Sequence, residues 1–159
     1  MATTRGRIRA ISISSKKGTK KTNVPSAKLR VDWGIERDAH AGRWHRQVSL
    51  LAAEAVEQAG GDDADIAPGD FAENITTEEI DLCGLNVGDR LRLGAEAEIE
   101  ITQFGKTCHS GCEIYRILGD CIMPRLGVFA RVVKGGVIRC GDAIEVIGDD
   151  DKSGDCDRQ

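Results

Sequence analysis

The sequence predicts a mainly β, barrel-like domain with one or two short helices. Apolar and polar residues alternate strictly in several short segments, of which residues 97–103 are the clearest example. Gly88-Asp89 and Gly141-Asp142 each predict a turn that leads into such a segment. About seven strands at close spacing are typical of a barrel-like fold, whereas regularly alternating helices would have indicated a parallel sheet.

The first half of the chain predicts a strand, a basic loop and a polar segment, in that order. Residues 7–14 alternate well enough to form the first strand, and residues 15–23 form a polar loop with Gly18 at its centre. The lysines of this loop are either solvated or contacts for an anion. Residues 31–46 hold both tryptophans and two of the three histidines, and are too rich in polar donors for a core strand.

The next elements are a strand end, a helix and a series of strands. Residues 47–51 predict a short strand end, and the alanine-rich residues 50–59 predict a helix with Ser49 as its N-cap. Gly60-Gly61 would end that helix. Residues 71–76 predict a short strand, and Gly135-Gly136 predicts a hairpin turn that joins strand 128–134 to strand 137–140.

Length, charge and hydropathy limit the classes of protein to which the chain can belong. Its 159 residues suit one domain, which we expect to span residues 1–148, with a polar and disordered tail at 149–159. A net charge of −4 disfavours nucleic-acid binding, which needs a basic face. No apolar run is long enough to span a membrane, and the N-terminus lacks the apolar core of a signal peptide, so we expect a cytoplasmic protein.

In a reducing compartment, cysteines indicate metal binding, catalysis or simple burial rather than disulfides. The chain has six, which do not form two CxxC pairs and therefore disfavour a zinc ribbon. The roles of three of them, Cys83, Cys140 and Cys156, stay open, and simple burial is the commonest role for such residues.

The segment 105–112 (GKTCHSGC) follows the clearest strand and places two thiols and an imidazole within five residues. On one turn of helix, Cys108 and Cys112 would share a face. A thiolate is both a soft metal ligand and a nucleophile, and positive charge from Lys106 and His109 would favour it. Cys112 is a second ligand, a resolving thiol or a buried helix residue. Cys121 precedes a Met-Pro loop that could bring a third thiol towards Cys108 for sulfur transfer by exchange.

Several motifs, taken in order, resemble the MOSC family, which is named for the C-terminal domain of molybdenum-cofactor sulfurase. The resemblance covers about residues 7–147 and is closest to the small stand-alone bacterial members. After the first strand and basic loop, it rests on the Cys108 segment, Gly141-Asp142 and residues 34–42 (GIERDAHAG), 46–51 (RQVSLL), 68–75 (PGDFAENI), 87–91 (VGDRL) and 127–132 (GVFARV).

This resemblance implies a β-barrel that binds molybdopterin with molybdenum or tungsten, and that carries, stores or sulfurates this cofactor for molybdoenzymes. Cys108 matches the family cysteine, so it would be the metal ligand or the sulfur carrier, with Cys112 and Cys121 as further thiols. Asp38 and Asn74 would shape the pocket, and Trp44 and Tyr115 would either flank the pterin or pack in the core or at its rim. Cofactor contacts are expected from a wider set of polar residues, with the phosphate held by the lysines and arginines: Lys16, Lys17, Lys20, Lys21, Arg37, His40, Arg43, Arg46, Lys106 and His109.

The chain departs from the family pattern in two ways. It has no room for the pyridoxal-phosphate desulfurase that precedes this domain in cofactor sulfurases, so sulfur would come from a separate cysteine desulfurase and pass to a recipient molybdoenzyme. Relatives often have a glycine where this chain has Arg37. Because arginine rarely adopts positive φ, the loop around Arg37 is where the backbone could differ from theirs.

Three other functions remain open at this point. A zinc or other thiolate-metal module would use Cys108, His109, Cys112 and Cys121. A molybdenum-dependent oxidoreductase would resemble relatives that reduce N-hydroxylated compounds, although those relatives carry a further N-terminal domain. An interaction domain would simply bury its cysteines.

Overall fold

A computed structural model describes residues 4–16, 21–60, 68–69, 73–104 and 127–147 of the chain. These residues contain eleven strands, one α-helix and a 3-10 helix at Leu82–Gly84. In chain order the strands and the helix are β1 Arg5–Ile13, β2 Thr22–Val24, β3 Ser26–Arg30, β4 Gly34–Ile35, β5 Val48–Ala52, α1 Ala53–Gly60, β6 Ile75–Glu78, β7 Arg90–Leu93, β8 Ala97–Phe104, β9 Val128–Lys134, β10 Gly136–Arg139 and β11 Ala143–Ile147.

Seven of these strands close into a barrel, which confirms the predicted mainly β fold. Their order is β11-β7-β8-β9-β5-β6-β1, and β1 then pairs with β11 to complete the ring. The neighbouring strands are antiparallel except β5 and β6. β2 pairs with β1 beside the ring. Closure removes the exposed sheet edges that would otherwise pair with another chain.

The alternating pattern of the sequence separates the barrel core from its outer surface. In β8, Ala97, Ile99 and Ile101 are fully buried, whereas Glu98 and Glu100 point outwards. The outward side chains meet opposite charges on neighbouring strands, as where Arg131 Nη2 donates to Glu100 Oε1 at 2.8 Å. Because side chains alternate between the two faces of a strand, a single register buries the apolar side chains and pairs the charged ones outside.

The predicted hairpin at Gly135-Gly136 is wrong. β10 pairs with β3 in a second sheet of order β10-β3-β4, and does not pair with β9. A Cβ at Gly135 would lie 2.8 Å from the carbonyl oxygen of Leu29, so the glycine allows the chain to cross closely against β3. This pairing buries both Leu29 and Ile138, which a simple hairpin would not bring together.

The predicted helix begins three residues later than expected, and Ser49 is not its N-cap. Residues 50–52 continue β5, because Leu50 and Leu51 are fully buried between β9 and β6. Ser49 lies inside this strand, and its hydroxyl contacts Asn74. Tertiary burial has therefore overridden the local helix preference of an alanine-rich segment.

The other predicted elements differ mainly in their bounds. The first strand, the strand 128–134 and the strands after the two Gly-Asp turns are present. The strand predicted at 71–76 is observed at Ile75–Glu78, and the basic loop ends in β2. The predicted tail at 149–159 lies outside the described residues. No helix in the described part of the chain has the length and apolar character needed to cross a bilayer.

Candidate functional site

Two loops bring the candidate residues together where β1 ends. The chain leaves β1 at Ile13, and the carbonyl of Ser14 accepts a hydrogen bond of 2.8 Å from Ala39 N. Lys21 returns to the same place, where its backbone N donates to the carbonyl of Gly69 at 2.9 Å. The segment between β4 and β5, which contains Asp38, His40 and Arg46, is thereby fixed against the end of β1.

Four residues form a buried polar network that we call the Lys21 cluster: Ser14, Lys21, Asp38 and His40. Lys21 Nζ lies 2.7 Å from Asp38 Oδ1, 3.0 Å from Ser14 Oγ and 3.0 Å from His40 Nδ1. The side chains of Lys21 and Asp38 are both fully buried, and that of His40 is 15% exposed. A buried ion pair of this kind is tolerated only where further hydrogen bonds satisfy both charges.

Asp38 is held in its ionised form. Burial alone would raise the pKa of its carboxyl group, but hydrogen bonding from His40 and the charge of Lys21 outweigh it and hold the pKa well below its usual range. The backbone N–H groups of Ser14 and His40 also donate to this carboxylate, at 3.1 and 3.0 Å. The carboxylate of Asp38 therefore links three segments: the end of β1, the basic loop, and the loop between β4 and β5.

Arg37 adopts the conformation that a glycine would favour. Its φ angle is +74°, in the left-handed region that arginine rarely enters. Its side chain is exposed, so the strain is not relieved by burial. Arg37 therefore occupies a backbone conformation that a glycine would adopt with less strain.

Beside the Lys21 cluster, Arg46 contacts two aromatic rings, and we call the three residues the Arg46 stack: Trp44, Arg46 and Phe129. The guanidinium carbon of Arg46 lies 4.6 Å from the Trp44 ring centroid and 5.7 Å from that of Phe129. Arg46 Nε is buried and makes no hydrogen bond within the described part of the chain. Cation–π contacts hold the guanidinium here without neutralising its charge.

The loop between β4 and β5 also contacts the strand ends that flank residues 105–126. His45 Nε2 lies 2.6 Å from Gln103 Oε1, and the hydroxyl of Thr102 donates to the carbonyl of His45. Gln103 is next to the end of β8, and Phe129 of the Arg46 stack is near the start of β9. The histidine-containing loop is thus anchored to both strands between which the Cys108 segment runs in sequence.

Asn74 joins strands rather than facing the Lys21 cluster. It is fully buried, its Oδ1 accepts from Ser49 N at 3.0 Å, and its Nδ2 donates to the carbonyl of Ser12 at 3.1 Å. Beside it, the buried carboxylate of Glu73 accepts from Gly69 N and from the Thr76 hydroxyl. These contacts fix the Pro68-Gly69 turn, on which Lys21 depends.

The structure brings together only some of the residues that the sequence analysis selected. Asp38, His40 and Arg46 are neighbours, whereas Lys16, Arg37 and Arg43 are exposed. No group of three potential metal-ligating side chains occurs among the residues that the structure describes. The remaining candidates lie outside the described residues: Lys17, Lys20, Lys106, Cys108, His109, Cys112, Tyr115 and Cys121.

Sequence reasoning missed the partners that organise the site. Lys21 was expected to contact an anion, but the structure pairs it with Asp38. Phe129 and Gln103 were treated only as strand residues, although they contact Arg46 and His45. An available signal was that the sequence places Ser14 and Lys21 at the two ends of one loop, where both can reach a single partner.

Comparison with known proteins agrees with this architecture. Residues 37–145 match the family model of the MOSC domain. No curated protein matches the chain. Among solved structures, the YUAD protein from Bacillus subtilis is 18% identical with a TM-score of 0.75, and the match covers 89% of this chain and 95% of that one.

Two further structures are similar. YiiM from Escherichia coli is 18% identical with a TM-score of 0.64, over 89% of this chain and 70% of its own. YiiM from Geobacillus stearothermophilus is 19% identical with a TM-score of 0.69, over 93% and 78%. At these identities the likeness establishes the fold alone, but the family match spans most of the sequence. The chain belongs to the MOSC domain family, which is associated with molybdenum cofactor sulfurase-like proteins.

Proposed function

We propose that this protein binds the molybdenum cofactor and carries, stores or sulfurates it for molybdoenzymes. Cys108 would be the metal ligand or the sulfur carrier. The observation that carries the proposal is the MOSC match at 37–145, which includes Asp38 and His40 of the Lys21 cluster, the Arg46 stack and Cys108. We further propose that residues 1–148 form the single domain and that the protein acts in the cytoplasm.

The Arg46 stack fits the anionic part of such a cofactor. Its guanidinium is half-buried and has no carboxylate partner among the described residues, so its charge is available to a ligand. A guanidinium carries its N–H groups in one plane, which suits bidentate contact with a phosphate. Arg46 would therefore hold the phosphate of molybdopterin, with the exposed Lys16 and Arg43 as outer contacts.

The aromatic and imidazole rings beside Arg46 fit the flat part of the cofactor. Trp44 and His40 are parallel within 3°, with centroids 6.5 Å apart, and Trp44 Nε1 donates to the carbonyl of His40 at 2.8 Å. Such a fixed ring suits stacking or edge contact with a pterin. Trp44 and His40 would then orient the ligand, while the Lys21 cluster keeps His40 in place.

The sequence limits how far Cys108 can be from the end of β8. Cys108 follows Phe104, the last residue of β8, by four residues. Four residues span at most about 14 Å. When bound, the cofactor would supply a sulfur-ligated molybdenum or tungsten centre, with which a further thiolate is compatible.

The sulfur for any sulfuration would come from a partner protein. We propose a cysteine desulfurase as donor and a molybdoenzyme as recipient, with Cys108 carrying the sulfur as a persulfide. Cys112 and Cys121 would pass sulfur to it by thiol exchange. Replacing Cys121 by serine and finding unchanged cofactor binding and sulfur transfer would remove this residue from the proposal.

The test is the metal and pterin content of protein purified anaerobically from a host that makes the cofactor. Wild type should hold molybdenum or tungsten with pterin, detected by fluorescence after oxidation. The Cys108→Ala variant should lose both. Cys140→Ala is a matched control, since Cys140 is an exposed free cysteine that directly follows β10 in the sequence.

Other outcomes would overturn the proposal. Zinc without pterin would favour a thiolate-metal module built from Cys108, His109, Cys112 and Cys121. Empty protein from a host that makes the cofactor would leave the family membership as evidence of fold only. Equal losses in Cys108→Ala and Cys140→Ala would show that the effect is not specific to Cys108.

A further inference from the structure

The outer face of the second sheet, of order β10-β3-β4, carries basic residues around an exposed valine. Directly opposed residues of an antiparallel pair lie on the same face, and Val137 is opposite Lys28. Because side chains alternate along a strand, Arg30 and Arg139 lie on this face too, and the residue between the members of each pair is buried. We call this set the Lys28 face: Lys28, Arg30, Val137 and Arg139.

The positive charges of the Lys28 face are largely unpaired. The side chains of Lys28 and Arg139 have no hydrogen-bond or ion-pair partner in the described part of the chain. Arg30 Nε lies 3.8 Å from Glu36 Oε2, a long and exposed ion pair that neutralises little. A positive surface of this kind stands out in a chain whose net charge is −4. It favours an acidic partner.

A fixed turn between β3 and β4 places an exposed tryptophan beside this face. The guanidinium carbon of Arg30 lies 5.9 Å from the Trp33 ring centroid. Trp33 N donates to the Arg30 carbonyl at 3.1 Å, and the Trp33 carbonyl accepts from Gly42 N at 2.7 Å. The carboxylate of Asp32 accepts from the buried Gln47, which ties the turn to the core. The turn therefore needs little further ordering before it contacts a partner.

Exposed apolar side chains are concentrated on the same sheet. Among the described residues, five large apolar side chains are exposed, and Val31, Trp33 and Val137 belong to the second sheet or its turn. The other two are Val87, before β7, and Phe104, at the end of β8. Single exposed apolar residues are ordinary, but a cluster that includes tryptophan and arginine is typical of the centre of a protein–protein interface. The combination indicates a protein partner.

We propose that the Lys28 face and Trp33 bind an extended, acidic peptide segment of a partner protein. Lys28 and Arg30 are two positions apart on β3, a separation of about 6.6 Å. Alternate side chains of an extended peptide have the same spacing, so two carboxylates can meet the two cations in register. An apolar side chain two positions further along the peptide would contact Trp33. This inference concerns a protein partner and does not depend on cofactor binding.

Other occupants fit the Lys28 face less well. In a twofold dimer the face would meet its own copy, which places cation against cation. Membrane-binding surfaces carry clusters of about four to eight lysines and arginines, whereas this face has three. Nucleic-acid binding needs a broader basic surface than two short strands of an acidic chain provide. The face therefore favours a short acidic segment.

The first experiment titrates the full, isotope-labelled protein with a capped peptide, Leu-Ser-Glu-Ser-Glu-Ser-Leu, and follows the NMR spectrum of the protein. The pattern of this peptide is the same in both directions, so it fits β3 in either orientation. We expect the signals of the Lys28 face and of the Trp33 indole to shift, and those of Val87, an exposed valine outside the sheet, to stay. Binding should weaken as salt is raised, because exposed charges are screened.

The matched control peptide is Leu-Ser-Ser-Glu-Glu-Ser-Leu. It has the same composition, but adjacent glutamates point to opposite faces of an extended chain. It should bind about threefold more weakly than the first peptide, or weaker still. Equal binding of the two peptides, or no shift at a millimolar concentration of the first, would overturn the proposal.

Two charge-reversal variants test whether the location of the charge matters. Lys28→Glu should weaken binding of the first peptide about fivefold or more, because it replaces attraction by repulsion at one carboxylate. Arg5→Glu changes the net charge by the same amount at the start of β1 and should stay within about twofold of wild type. Both side chains are exposed, so both variants should fold. Equal weakening would mean that net charge alone attracts the peptide, and would overturn the proposal.

The same spectra distinguish the other occupants. Phosphatidylserine vesicles and oligothymidylate replace the peptide in parallel titrations. A response of the Lys28 face to either of them, without a response to the peptide, would overturn the proposal in favour of a lipid or a nucleic acid. Concentration-dependent broadening of these signals in the protein alone would overturn it in favour of a second copy. All titrations use protein without cofactor, so their outcome is independent of the proposed function.

Discussion

The two ends of β1 carry ion pairs of equal length in opposite surroundings. At the end of β1, Lys21 Nζ lies 2.7 Å from Asp38 Oδ1, and both side chains are fully buried. Near its start, Arg7 Nε lies 2.7 Å from Glu78 Oε2, with Arg7 48% exposed. The pKa of Glu78 is lowered, first by the hydrogen bond from Arg9. An open cavity lies at this exposed end, lined in part by Arg5, Arg7 and Glu79.

Because the two distances are equal, it is burial that decides how much each ion pair contributes to stability. Exposed pairs are screened by water and salt and contribute about 0–1 kcal/mol. A buried pair is costly to break, because the charge left behind has no solvent to stabilise it. The buried Lys21–Asp38 pair therefore fixes the positions of the residues around it, whereas the exposed Arg7–Glu78 pair is an ordinary surface contact. The following variants test this contrast.

The largest effect is expected from Lys21→Met. Removing the ammonium leaves Asp38 as an uncompensated buried charge, so the free energy of unfolding should fall by about 3–5 kcal/mol. Urea titration measures it. Arg7→Met is the matched control and should lose less than about 1 kcal/mol. Similar losses for the two variants would refute the contrast between the two ends.

The next largest effect is expected from Gly69→Ala, which disturbs the turn that supports Lys21. Gly69 has a φ of +94°, and an added Cβ would lie 2.6 Å from the carbonyl oxygen of Lys21. We expect a loss of about 2–3 kcal/mol in unfolding free energy. Gly88→Ala is the control, since Gly88 has a φ of +100° with nothing near its Cβ. It should lose only about 1 kcal/mol.

Low pH should lower the free energy of unfolding, because it protonates Asp38 of the Lys21 cluster. Its pKa is lower in the folded protein than in the unfolded chain, so the stabilisation is complete above the unfolded value, about 4, and is lost as pH falls below it. For such a carboxylate the loss is about 2 kcal/mol. Urea titrations from pH 7 to pH 2 should show a flatter decline in Asp38→Asn than in wild type. Parallel declines would contradict this.

A smaller gain is expected from Arg37→Gly. Because Arg37 is exposed and has a φ of +74°, glycine should relieve strain next to Asp38 and raise the free energy of unfolding by about 0.5–1 kcal/mol. Thermal unfolding at matched pH measures the gain. A loss would mean that the arginine side chain makes a stabilising contact that outweighs the strain of its backbone.

Local patterns predicted the barrel, but not how its loops meet. β7 and β8 follow strict alternation and were predictable, because a period of two with one buried face determines each strand. The pairing of β10 with β3 was not predictable, since it depends on contacts between residues about 110 positions apart. Gly135-Gly136 is compatible with a hairpin between β9 and β10 as well as with the observed pairing, so the sequence did not distinguish the two.

The sequence predicted which residues lie in the candidate site, but not which residues they contact. Asp38 and Arg46 were selected by type and family pattern, and the structure places them in the Lys21 cluster and the Arg46 stack. That Lys21 is buried against Asp38 depends on two loops and the Pro68-Gly69 turn, none of which has a local signal. The roles of Cys108, Cys112 and Cys121 stay predictions.

We propose that the cofactor binds at the end of β1 that carries the buried Lys21–Asp38 pair, and not at the end that carries the exposed Arg7–Glu78 pair. The most direct measurement compares the pterin content of Arg46→Met and Arg7→Met, both purified anaerobically from a cofactor-producing host. We predict a loss of tenfold or more in Arg46→Met and wild-type content in Arg7→Met. Equal pterin in the two variants would contradict the claim.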